Sequence, residues 1–255
     1  MITLAITAQK GGVGKSTSAH AIGVGLSRFY GKKVLLIDTE AQGNLTRTLE
    51  AAQGGAAELL TGEAILSEAI QHTGAGVDII ASSPALTAAE ATLTGKGREY
   101  RLRRAIQGAS ALYDYCVIDT PPALSIITIN ALTAADRVII PAQADDYSID
   151  SLERLRETIE AVQRHSNAAL RIDGILLTRY NGRLNVSKYA EEQAQIAAAE
   201  MGTRLYHTRI RECGAIREAQ FIREDIYTYS PRSNAARDYK SLLEEITEEG
   251  ATDNG

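Results

Sequence analysis

The chain has 255 residues, 44% of them hydrophobic and 23% charged, with a net charge of −5. That length supports one large domain with a sizeable core, and the mildly acidic balance excludes a protein that coats nucleic acid over its whole surface. Cys116 and Cys213 stand far apart and no Cys/His spacing suits zinc, which points to a reducing, cytoplasmic setting; nothing like a signal peptide precedes Ile2, and no apolar run approaches the length of a membrane span.

Ile2–Thr7 is a short β-branched and aliphatic run, expected as a strand. Gly11, Gly12 and Gly14 follow, then Lys15, Ser16, Thr17 and an apolar-periodic helix over Ala19–Phe29. Strand, glycine loop and helix in that order form a phosphate-binding loop. Backbone N–H groups can turn inward onto phosphate oxygens where no Cβ intervenes. Lys15 is placed to reach the β- and γ-phosphates of a nucleotide, and the Ser16 hydroxyl to reach Mg²⁺. The usual first glycine of G-x-x-x-x-G-K-[ST] would fall at Gln9, and a second lysine, Lys10, directly precedes the glycines.

Val34–Ile37 is a continuous apolar run, as in a strand buried on both faces, and ends in Asp38-Thr39-Glu40. A turn at Gln42-Gly43-Asn44 leads into a helix from Leu45. Residues 53–76 read as a loop with a short helix near Glu63–Gln71 and a turn at Gly74–Gly76. Val77–Ala81 reads as a strand, and Ser83-Pro84 opens a helix. Residues 98–112 read as one amphipathic helix with Leu102, Ile106 and Leu112 near one face. Tyr115–Ile118 is a buried strand ending in Asp119, the pattern of a Walker B carboxylate. Thr120-Pro121-Pro122 forces an extended exit. Further strands are expected at Val138–Ile140 and Ile172–Thr178, and helices at Ile149–Arg164, Val186–Met201 and Ala235–Glu248. This alternation predicts an α/β fold, a mostly parallel twisted sheet with helices on both faces. It is expected as a single domain over residues 1–249 with a polar, disordered tail at 250–255.

The segments KGGVGKST, VLLIDTEAQGN, REYRLRRA, YDYCVIDTPP and INALTAADRVIIP together resemble the ParA/Soj-type partition ATPases, within the ParA/MinD family of P-loop NTPases with a deviant Walker A loop. The likeness runs over about residues 2–248 and fits the short form that lacks an N-terminal helix-turn-helix domain. It implies a weak ATPase using ATP and Mg²⁺, a homodimer with ATP sandwiched between subunits, non-specific binding of double-stranded DNA, and a ParB-like partner that stimulates hydrolysis on the nucleoid. By this resemblance Lys10 acts on the partner subunit's nucleotide. Gly11, Gly12, Val13 and Gly14 cradle phosphate, with Lys15, Ser16 and Thr17 beside them. Asp38 and Asp119 lie around Mg²⁺ with Ser16, and Asn181 contacts adenine. The family's D-x-D becomes Asp38-Thr39-Glu40 here, so Glu40 stands where an aspartate orients the attacking water. Arg183 matches an arginine used for DNA. A second such arginine aligns with Ala215, and Arg211 and Arg217 are its neighbouring substitutes.

Other readings use the same loop. A MinD-like, membrane-recruited regulator needs a basic amphipathic C-terminal helix, whereas KSLLEEITEEGATDNG is acidic. An iron–sulfur reductase needs cysteines at a dimer face, and Cys116 lies inside a predicted strand. A tyrosine kinase of this loop type carries a denser tyrosine tail than Tyr227 and Tyr229 provide. The basic stretch containing Arg183, Lys188, Arg204, Arg209, Arg211, Arg217 and Arg223 reads either as a DNA face or as a solvated surface balanced by nearby glutamates such as Glu191 and Glu212.

Overall fold

The computed structural model describes residues 1–144 and 148–252. β1 (Ile2–Ile6) passes through the glycine loop into α1 (Lys15–Tyr30), and β2 (Val34–Asp38) leads to the short α2 (Asn44–Thr48). Two small helices, α3 (Ala56–Thr61) and α4 (Leu66–Ala69), precede β3 (Gln71–His72) and β4 (Asp78–Ile80). Next come α5 (Ala85–Thr92), α6 (Arg101–Ala105), β5 (Tyr115–Asp119), α7 (Ile126–Ala134), β6 (Arg137–Gln143), α8 (Ser148–His165) and β7 (Arg171–Thr178). The rest is helical: α9 (Asn185–Glu200), α10 (Gly214–Ile222), α11 (Ile226–Tyr229) and α12 (Asn234–Thr252).

The seven strands form one sheet in the order β3-β4-β2-β5-β1-β6-β7, parallel except for β3. Every residue of β2 and β5 is buried, as continuous apolar runs require. Side chains alternate between two faces. Leu4, Ile6, Val34, Leu36 and Val117 pack against α1 and α12, while Leu35, Ile37, Cys116 and Ile118 pack against α3, α5, α6 and α7. A third cluster joins Val138 and Ile140 to α8 and α9. The central strands finish level with one another: Ile6 pairs with Asp119, and Asp119 with Asp38. The loops after β1, β2 and β5 therefore meet at one carboxyl edge, where open parallel sheets hold their ligands.

The structure departs from the sequence reading in several places. Residues 98–112 are not one helix. A 3-10 turn at Arg98–Tyr100, α6, and a second 3-10 turn at Gln107–Ala111 succeed one another. Leu102 and Ile106 are buried as expected, but Leu112 is 55% exposed. The break follows from Gly108 and from Asn130, whose side-chain oxygen accepts the Leu102 N–H (3.1 Å) and whose amide donates to the carbonyls of Arg98 and Ile126 (2.9 Å each). The helix expected near Glu63–Gln71 is only the single turn α4, since Gln71 already belongs to the antiparallel β3, and α3 lies in the stretch before it that reads as a loop. α7 and α10 had no counterpart in the periodicity reading; arginines and glutamates mask the apolar side of α10, formed by Ile216 and Ala219. α12 continues to Thr252, past the expected end at Glu248, and the last three residues of the expected tail lie outside the described residues.

α1 crosses α11 and α12 at Gly25. A Cβ added there would fall 2.8 Å from the Tyr227 hydroxyl and clash with Leu243. Tyr227 is itself fixed, donating to the Ala21 carbonyl at 2.9 Å. Gly25→Ala is therefore expected to lower unfolding free energy by about 1–3 kcal/mol through overpacking, even though alanine is the better helix former. Urea denaturation measures it.

Candidate functional site

The loop between β1 and α1 depends on two left-handed residues, Gly12 (φ 76°) and Gly14 (φ 92°). Gly14 is the N-cap of α1, and no side chain caps the helix. The amides of its first turn thus stay open to an anion, and the helix dipole favours one there. A Cβ at Gly11 or Gly12 would meet nothing within 4 Å, so the loop encloses open space that a ligand can fill. From across the sheet, Thr178 at the end of β7 donates its hydroxyl to the Val13 carbonyl at 2.8 Å. The sequence reading placed Thr178 at a strand end and missed it as the loop's anchor.

Behind the loop lie two carboxylates with no solvent exposure, Asp38 and Asp119. Asp38 is well satisfied. Its Oδ2 accepts from the Thr46 N–H and the Thr46 hydroxyl, both at 2.8 Å, and its Oδ1 accepts from the Glu40 N–H at 3.1 Å. Burial raises its pKa, and the Thr46 bonds oppose that rise. Asp119 is different: neither oxygen has a hydrogen-bond partner. Burial first, and then the neighbouring Asp38, hold its carboxyl well above the usual carboxylate range; Ser16 and Lys15 pull the other way, with no hydrogen bond of ordinary geometry completed. Lys15 is also buried, and its Nζ donates to the Lys10 carbonyl at 3.3 Å. Burial lowers its pKa, opposed by Asp119 and Glu40. Among the described residues no ion pair joins Lys15 to either carboxylate.

Lys15 opens onto a cleft of about 640 Å³, while Asp38 and Asp119 lie behind it and do not line it. Gly11 to Thr17 and Glu40 line it, so the structure brings the predicted phosphate loop and the predicted water-orienting residue together. Thr17 is already engaged, its hydroxyl accepting from Gln220 Nε2 of α10 at 2.8 Å. Lys10 and Asn181 do not line the cleft. The Asn181 side chain instead accepts the Arg183 N–H at 3.2 Å, and the far end of the cleft is formed by Arg179 and residues 210–213.

Most of the basic stretch is tied down within the chain. Arg204 faces Asp173, Arg209 Glu191, Arg211 Asp238, Arg217 Glu212 and Arg223 Glu50. Arg211 is held with Nη2 2.5 Å and Nε 3.1 Å from Asp238 Oδ1. Arg217 is 74% exposed and 3.5 Å from Glu212. Arg183 and Lys188, by contrast, are exposed and form no ion pair among the described residues.

A family model described as an AAA domain matches residues 1–172. The sporulation initiation inhibitor protein Soj of Bacillus subtilis is 36% identical over 253 residues, covering 97% of this chain and 98% of that protein. The chromosome-partitioning ATPase Soj of Thermus thermophilus is 36% identical over 244 residues, covering 95% and 94%. The chain belongs to the ParA/Soj family of partition ATPases. Among solved structures, the cobyrinic acid a,c-diamide synthase of Mycobacterium smegmatis with bound ADP and magnesium superposes with a TM-score of 0.83 at 30% identity, covering 96% of this chain and 93% of that one. The ParA/Soj relationship spans both ends of the cleft, from the glycine loop to residues 210–213.

One cleft residue, His20, reads in the sequence as part of no ligand pattern, together with His72, His165 and His207. His20, one turn beyond Ser16 on α1, is buried, and burial depresses its pKa to about 4 against a weaker upward pull from Asp225. The unfolded imidazole takes up a proton near pH 6.5 and the folded one only near pH 4, so stability falls as pH drops through that interval. The stability difference between the wild type and His20→Leu should therefore shift by about 2 kcal/mol between pH 7 and pH 5, against the wild type at the lower pH. Urea titrations at the two pH values measure it.

Proposed function

We propose that this chain is an ATP-driven partition switch. ATP closes a homodimer, the dimer binds double-stranded DNA without sequence preference, and a ParB-like partner stimulates hydrolysis and release. The observation that carries the reading is the buried, unpartnered carboxylate of Asp119 directly behind an uncapped helix N-terminus. A fully buried carboxylate without hydrogen bonds is costly unless a cation joins it. The donor set fits Mg²⁺, which is held by one or two protein oxygens together with substrate phosphates. Asp119 and the Ser16 hydroxyl would hold it, with Asp38 behind them. Bound there, the ion supplies positive charge to the β- and γ-phosphate oxygens.

The amides of residues 11–16 and the Lys15 ammonium orient the triphosphate, and the low-dielectric surroundings of Lys15 strengthen that contact. Glu40 faces the same space and orients the attacking water. Its carboxylate extends one methylene further than the family's usual aspartate. Lys10, whose side chain lies outside its own cleft, supplies charge to the partner subunit's nucleotide. Closing the dimer also pairs two weak DNA faces, which couples DNA affinity to ATP without adding any residue. Arg183, just before α9, and Lys188, in its first turn, form that face with the exposed Arg217. Arg211 contributes less, since Asp238 already neutralises it. The work is done on the nucleoid, in the cytoplasm.

A MinD-like membrane role finds no support in α12. Its apolar side, Tyr239, Leu242, Leu243 and Ile246, is already buried in the core, and no described helix is long and apolar enough to cross a membrane.

Lys15→Ala is expected to fold and to lose about 2–3 kcal/mol of ATP affinity, the effect of removing one partner of a charge-assisted contact. Isothermal titration of ATP measures it, and wild-type affinity would refute the loop assignment. Arg183→Glu should weaken binding to all DNA sequences alike while ATP-dependent dimerisation in sedimentation persists. Because two phosphate contacts are lost per dimer, the log–log salt slope should become shallower by about 2. Titrations at several salt concentrations, with ATP and with ADP, test this; equal affinity of the ATP and ADP forms would overturn the switch.

A further inference from the structure

The peptide group of Glu40 is gripped from both ends. Its N–H donates to Asp38 Oδ1 at 3.1 Å. Its carbonyl accepts from the Ser82 hydroxyl at 2.5 Å and from the Gly43 N–H at 2.8 Å. Ser82, just past β4, and Thr46, on α2, are joined in turn: the Ser82 N–H donates to Thr46 Oγ1 at 2.9 Å, and that hydroxyl donates to Asp38 Oδ2 at 2.8 Å. Asp38, Glu40, Ser82 and Thr46 thus close a ring that ties β2, β4 and α2 together. Asp38, Thr46 and Ser82 are each no more than 1% exposed, so water does not compete for these bonds.

We infer that Thr46 and Ser82 are positioning residues for hydrolysis, acting through the backbone of Glu40; this rests on Glu40 as the residue that orients the attacking water. A glutamate carries one more rotatable bond than an aspartate, so its carboxylate samples more positions for a given backbone. The ring removes the backbone's share of that freedom. Productive alignment of a reacting water is sensitive to displacements of about 1 Å, and an unheld Glu40 peptide would shift by that scale. Neither hydroxyl lines the cleft, so neither contributes to holding the nucleotide.

The test compares Ser82→Ala, Thr46→Val and Thr46→Ser with the wild type, measuring ATP affinity and single-turnover hydrolysis separately. Ser82→Ala is the milder change, because the Glu40 carbonyl keeps the Gly43 N–H, and it preserves the test if Thr46→Val fails to fold. The inference expects hydrolysis about tenfold slower in Ser82→Ala and in folded Thr46→Val, ATP affinity within about twofold of wild type, and near-normal hydrolysis in Thr46→Ser. Glu40→Ala is measured alongside, singly and combined with Ser82→Ala. Slow hydrolysis in Glu40→Ala with no further loss in the double variant supports the inference, since a purely structural defect would add. Slow Glu40→Ala with normal Ser82→Ala, or additive losses, overturns the positioning role and leaves Glu40's role intact. Glu40→Ala hydrolysing as fast as wild type overturns both.

Discussion

Asp38 and Asp119 face each other across adjacent parallel strands, both sealed from solvent. Two buried carboxylates at such a spacing cannot both ionise cheaply. The chain resolves half of the conflict itself, since Thr46 and the Glu40 amide satisfy Asp38. Asp119 is left without a donor, and its proton is held more tightly than in the unfolded chain. Ionising it therefore costs stability as pH rises past the ordinary carboxylate range, and a bound cation removes that cost.

The rest of the site follows from this imbalance. Lys15 lies beside the unpaired carboxylate without bonding to it, holding the Lys10 carbonyl instead, so its ammonium stays available to an arriving polyphosphate. The loop that carries Lys15 is fixed not by its own turn alone but by Thr178, two strands away in the sheet from β1. Likewise the loop that carries Glu40 is fixed by Ser82, from beyond β2. The loops after β1 and β2 are thus each clamped by a hydroxyl from elsewhere along the sheet's carboxyl edge. A sheet with its ends in register makes such clamps possible, and ties the chemistry of the cleft to the packing of the core.

Much of this was legible in the sequence. Continuous apolar runs such as Val34–Ile37 and Tyr115–Ile118 mark strands buried on both faces, and the acidic residues after them mark the carboxyl edge. Glycines before Lys15 mark the loop because few other residues tolerate that backbone. What stayed hidden was long-range. Nothing local in Thr46, Thr178 or Ser82 says which carbonyl or carboxylate each will meet, since those partners arrive only with the folded sheet. The charge count misled for a related reason: Arg204 and Arg211 look available in the sequence, yet each meets an aspartate remote in the chain, whereas Arg209 and Arg217 meet Glu191 and Glu212, the balancing glutamates the sequence already offered. Helix boundaries failed where a buried side chain overrides periodicity, as Asn130 does for residues 98–112.

The central claim is that Asp119 is a buried carboxylate held in place for a cation. Thermal unfolding of wild type and Asp119→Asn at pH 7, alone, with ATP, and with ATP plus Mg²⁺, tests it most directly. The account predicts that without ligand the variant is at least as stable as the wild type, because a neutral amide carries none of the cost that burial imposes on the unpartnered carboxyl at pH 7. It also predicts that the extra stabilisation by Mg²⁺ over ATP alone, present in the wild type, disappears in the variant. A variant less stable than the wild type that keeps the full Mg²⁺-dependent gain would contradict it.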